Sequence, residues 1–155
     1  ASPEDRFERY RAHYYVDPSE IIDPKTNERI PTGALYKSFH KWNGVNFTAN
    51  DCDDCYSNQL LTNFIEDFVV VAIDENGIII DPPPSEAFDD EAYDIKVVDI
   101  LVTFRSKEEF FKTKKERIVT AIGKNSENRK LAKNDKYFRD SVVMTVHTRN
   151  IGIEQ

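Results

Sequence analysis

Two cysteines, Cys52 and Cys55, stand two residues apart in the run N-D-C-D-D-C. That spacing serves a short disulfide, a redox dithiol or half of a zinc site. Zinc needs four ligands, there is no second C-x-x-C, and His13, His40 and His147 lie far apart in the chain. A redox dithiol wants a lowered thiol pKa, and the intervening Asp53 and Asp54 push the other way. A structural disulfide in an oxidising compartment is the favoured reading, with free thiols as the alternative. Asn50, Asp51, Asp53 and Asp54 loosely suggest calcium. An EF-hand loop, however, needs a third ligand where Cys55 sits, and a glycine that this run lacks.

Other chemistry is sparse. There is no G-x-S-x-G, no H-E-x-x-H and no phosphate-cradling glycine loop, so neither a catalytic set nor a cofactor is expected. Lys107 to Lys136 holds ten basic residues against five acids, a local +5, which leaves −12 for the rest of a chain of net charge −7. Its charges are interleaved and the remaining surface is acidic, so the segment reads as solvated and not as a nucleic-acid site. No apolar run is long enough to span a membrane, and the first residues lack the pattern of a signal peptide.

The elements around these residues read as β. At 155 residues one domain is expected, mainly antiparallel β, in the form of a twisted sheet of hairpins. Its centre is 94–106, D-I-K-V-V-D-I-L-V-T-F-R-S, where Val98, Ile100, Val102 and Phe104 alternate toward an expected core and β-branched residues suit the pleat. A first hairpin is expected over 9–42, with a proline-rich connection from Asp17 to Gly33, after at most one helical turn from Ser2. The polar, turn-rich stretch 43–59 carries the cysteines. A second hairpin over 60–80 turns at Asn76-Gly77, where both residues tolerate positive φ. Prolines at 82–84 end it. The excursion 107–136 offers a short helix or extended piece near Glu108 to Ile118 and then an exposed loop from Gly123. The last strand is expected over 137–150.

The order of these pieces resembles the globular head of minor type IV pilins of the PilW type, relatives of GspJ-like pseudopilins. D-I-K-V-V-D-I-L-V-T-F-R-S resembles the family's central strand ending in Arg-Ser, here Arg105 and Ser106. After a charged excursion, Y-F-R and V-V-M-T-V-H-T-R-N resemble its last strand, ending at Arg149 and Asn150. Y-R-A-H-Y-Y-V, A-L-Y-K-S-F and F-I-E-D-F-V-V-V resemble upstream strands in the same order. The resemblance implies a non-enzymatic structural subunit that assembles with other pilins at the surface of the cell or in the periplasm. It also implies an apolar N-terminal helix under the sheet, which these residues do not contain and which a separate chain would have to supply if it is not part of the same polypeptide. Membrane insertion is not expected of these residues. An alternative of a different class is a secreted or periplasmic binding module that uses the acidic loop between Cys52 and Cys55.

Overall fold

A computed structural model describes residues 8–81, 90–119 and 131–148. Its strands are β1 (Tyr10–Pro18), β2 (Gly33–Trp42), β3 (Phe47–Thr48), β4 (Tyr56–Ile73), β5 (Ile79–Ile80), β6 (Val97–Arg105), β7 (Lys115–Val119), β8 (Leu131–Asp135) and β9 (Arg139–His147). One short helix, α1 (Asp90–Asp94), precedes β6. The class is mainly antiparallel β, with a twisted seven-stranded sheet as its principal element. The chain clusters into two compact units that divide between Ile65 and Glu66, inside β4.

In the N-terminal unit the strand order is β1-β2-β4, and β3 adds to β2. The first hairpin forms as the alternation of its residues predicts, with Tyr10 opposite Lys41 and Pro18 opposite Gly33. The β2–β4 ladder is less regular. Its register slips by one residue at three places, each time leaving an extra residue on β4. Phe64 is one such residue and Asn58 lies at another slip, and both take positive φ (65° and 56°). Bulges of this kind strengthen strand twist. Gly33 sits where chains meet closely: a Cβ there would lie 2.6 Å from Val16 Cγ1 and 3.3 Å from the Ile65 carbonyl oxygen. Only a residue without a side chain fits that space.

In the C-terminal unit the order is β4-β6-β9, with β5 on β4 and a separate β7–β8 ribbon. β6 and β9 pair without a slip from Val97–His147 to Arg105–Arg139. β4 runs antiparallel to β6, because Lys96 N–H donates to the Ile73 carbonyl at one end and Glu66 meets Arg105 at the other. The turn after β4 is organised by the Asp74 carboxylate, which accepts from the N–H groups of Asn76 and Ile78. Gly77 alone takes positive φ there, so the expected two-residue turn is a five-residue loop in which aspartate supplies the fixing bonds.

The core lies on the other side of the central strand from the expected one. Leu101 and Thr103 are fully buried, and Leu101 clusters with Val69 and Val71, against which Ile73 and Ile79 pack. Of the four residues expected in the core, Val102 is buried while Val98, Ile100 and Phe104 are half-buried. In the excursion, 115–119 is strand, the extended one of the two forms expected near Glu108 to Ile118, and it pairs with 131–135, which is strand where a loop was expected. Leu131-Ala132-Lys133-Asn134-Asp135 has no apolar alternation, so it signals no strand before its partner is known. The expected helical turn from Ser2 falls outside the described residues.

Candidate functional site: two faces of one sheet

The two faces of the β6–β9 pair differ in chemistry throughout. On the odd-numbered face three of the five cross-strand pairs are tied by polar or ionic groups, whereas Val97 faces His147 and Val143 is half-exposed. The Thr145 hydroxyl donates to Asp99 Oδ1 at 2.6 Å, Thr103 and Ser141 share a hydrogen bond of 2.8 Å, and Leu101 faces Val143. At the end of this face Arg105 stands directly opposite Arg139. Two like charges so placed would repel, and two acids resolve the conflict. Asp135 takes Arg139 in a bidentate grip, Nη1 to Oδ1 at 2.8 Å and Nη2 to Oδ2 at 2.7 Å. Glu66 lies 3.2 Å from Arg139 Nη2 and 3.7 Å from Arg105 Nε. Arg105 also covers the ring of Tyr137, its Cζ 4.0 Å from the centroid.

These side chains are largely dry, with Glu66, Arg105 and Arg139 all less than a tenth exposed. The hydrogen bond from Arg139 holds the Asp135 carboxyl below the usual carboxylate range, and the same bond pushes the Arg139 guanidinium above its ordinary value. Among the described residues Arg105 Nε and Arg139 Nε have no hydrogen-bond partner. A balanced set of two cations and two anions in a buried place specifies one arrangement more than it adds stability. Removing Arg139 takes the nearest cation from both Asp135 and Glu66.

The even-numbered face is apolar from strand to strand. Val98 faces Val146, Ile100 faces Met144, and Val102 faces Val142, with Asp140 opposite Phe104 as the one charge. On β4, Val69 and Val71 contact Leu101 on the core side, so the alternation of a strand puts Val70 on this side. Its outer residues stay wet: Val70 is 43% exposed, Val142 47%, Met144 48% and Val146 49%. Around the buried Val102, these apolar residues over three strands make the face a candidate for docking.

The other candidates are placed as follows. Cys52 and Cys55 are joined in a disulfide. Asp51, Asp53 and Asp54 project to solvent, and among the described residues no three His, Cys, Asp or Glu side chains come together as a metal site. His40 Nε2 meets Ser57 Oγ at 2.9 Å, His13 packs on Tyr15, and His147 ends β9. Ser106 closes the far end of the sheet, its hydroxyl donating to the Glu108 carbonyl and accepting from Phe138 N–H. Arg149 and Asn150 lie outside the described residues. A cleft of about 820 Å³ opens between β7 and β9, walled by Phe111, Arg117, Val119, Ser141 and Val143. Among its described lining residues the one hydroxyl, on Ser141, is held by Thr103. Among the described residues no helix is long and apolar enough to cross a membrane.

Sequence reasoning singled out Arg105 but not Glu66, Asp135 or Arg139 as its companions. The signal was a charged residue inside an apolar strand, Glu66 between Ile65 and Phe68, with arginines at the ends of two later strands. The chain matches no family model, no curated protein and no solved structure.

Proposed function

We propose that this chain is the head of a non-enzymatic structural subunit, a minor pilin or pseudopilin, that takes part in assembling a type IV pilus-like filament in the cell envelope. The observation that carries the reading is the even-numbered face of β4, β6 and β9, apolar across three strands and half-exposed at its outer residues. Such a face suits the side of an apolar helix, supplied by the same polypeptide or by a neighbouring subunit. The ties across the odd-numbered face support the reading too, because they keep the sheet in one shape while the other face is free to dock. The Cys52–Cys55 disulfide is in keeping with an oxidising compartment outside the cytoplasm. Its partners are then other pilin subunits.

The test is genetic and structural together. A strain lacking the gene should lose sheared surface filaments or the secretion they drive, and the wild-type gene should restore them. A Met144→Asp gene should make stable protein and fail to restore them. Normal filaments in the deletion strain, or full rescue by Met144→Asp, would overturn the reading.

A further inference from the structure

The sheet edges among the described residues are not equally guarded. An open edge offers a row of unpaired N–H and C=O groups to any passing strand, and proteins blunt it with charges, prolines or bulges. β1 carries Arg11, His13, Asp17 and Pro18 along its length. The first half of β4 is bent by its three register slips. The β7–β8 ribbon carries Lys115, Glu116 and Arg117 on one strand and Lys133 and Asp135 on the other. β9 confines its charges, Arg139 and Asp140, to its first two residues. From Ser141 to Val146 it has no charge, no proline and no glycine, and its ladder to β6 is unbroken over nine pairs. It is the last strand in its order, and no backbone hydrogen bond among the described residues reaches its outer side.

We infer that β9 is a seam at which two copies of this chain join, strand to strand and antiparallel, in a two-fold dimer centred on Met144. Backbone chemistry requires the occupant of such an edge to be another strand. The side chains of β9 select itself. A two-fold at Met144 sets Val142 against Val146 and Met144 against its own copy on the apolar side. On the other side it sets Val143 against Thr145 and Ser141 against His147. Apolar residues meet apolar ones, the residue between them is small, and no like charges oppose. A perpendicular two-fold keeps each face on its own side, so the two even-numbered faces become one continuous apolar surface. A two-fold interface uses the same patch twice and therefore closes at the dimer. One strand pair buries less than a standard stable interface, so the association is weak and concentration-dependent. The inference does not rest on the pilin reading: it concerns an edge, and the other concerns a face.

Sedimentation equilibrium over a range of concentrations reads the state directly. The mass should rise from 18.0 kDa toward twice that value and no further. Met144→Lys should weaken association at least about tenfold, since it places two ammonium groups together at the axis. Val45→Lys, in an exposed loop, should leave it unchanged. Under mild oxidation Met144→Cys should give a linked dimer, because its own copy is its neighbour, and His147→Cys should not. A mass of 18.0 kDa throughout, growth past the dimer, association indifferent to Met144→Lys, or linkage at position 147 and not at 144 would each overturn the inference.

Discussion

The two units of the chain are held together by different means. Among the described residues the N-terminal unit buries few apolar side chains, Ala34 and Ile65, whereas the C-terminal unit buries Val69, Val71, Ala72, Leu101, Val102 and Val119. Rings stand in for the missing core. Tyr10, Phe39 and Tyr56 form a ladder over three strands, with centroids 5.4 and 6.2 Å apart, and Tyr15 stacks on Tyr36 on the opposite side. Lys37 lies over the rings of Tyr14 and Tyr56, and the polar company of Tyr56 and then Tyr14 raises its pKa. Ser19, fully buried, ties the proline-rich connection to Thr32 through its backbone. An aromatic pair adds about 0.5–1.5 kcal/mol beyond its buried area, so a ladder holds a thin sheet by many small terms. The C-terminal unit relies on a few large ones, an aliphatic cluster and a buried ionic lock.

The contrast predicts where single changes hurt. Arg139→Ala strips both Asp135 and Glu66 of their main partner in a dry place and should cost about 3–5 kcal/mol in urea unfolding. Leu101→Ala should cost about 2–5 kcal/mol, and Ile100→Ala on the half-exposed face clearly less. Equal losses from those two would mean that the faces are not different, as the structure has them. Phe39→Ala breaks two ring contacts in the N-terminal unit and should cost about 1–3 kcal/mol. Cys52→Ser opens a loop so short that the loss should be about 2 kcal/mol or less, read as a shift in the melting temperature.

The ionic lock also sets a response to acid. Asp135 is held below its ordinary pKa chiefly by the hydrogen bond from Arg139, so its contribution is present above the unfolded value. It is lost as pH falls through the lower folded value, that is, below about pH 4. Wild-type stability should therefore drop in that window, and the drop should be smaller in Asp135→Asn, which has less to lose. A steeper acid loss in the variant would contradict the assignment.

Much of this fold was legible in the sequence. Alternation located β1, β2 and β6, a strand-like run near the end of the chain located β9, and Asn76-Gly77 marked a turn because both residues tolerate positive φ. Alternation does not say which face of a strand is better covered. Val98, Ile100, Val102 and Phe104 look like the core, yet Leu101 and Thr103 have more above them. Registers are not local either. Arg105 and Arg139 are 34 positions apart, and only the strand pairing shows that they face each other with Glu66 and Asp135 between. The β7–β8 ribbon was hidden for the same reason, since its strands are polar and pair only with one another.

The central claim is that the even-numbered face of β4, β6 and β9 seats an apolar helix, and photocrosslinking in the native cells tests it most directly. A photoreactive residue replaces Ile100 on that face, and a second variant carries it at Lys133 on the exposed ribbon. The account predicts that the Ile100 position links to an apolar helix, identified by its peptide masses, in the same polypeptide or in a filament subunit, and that the Lys133 position does not. Links from Ile100 only to this chain's own strands and loops, or the same products from both positions, would contradict it.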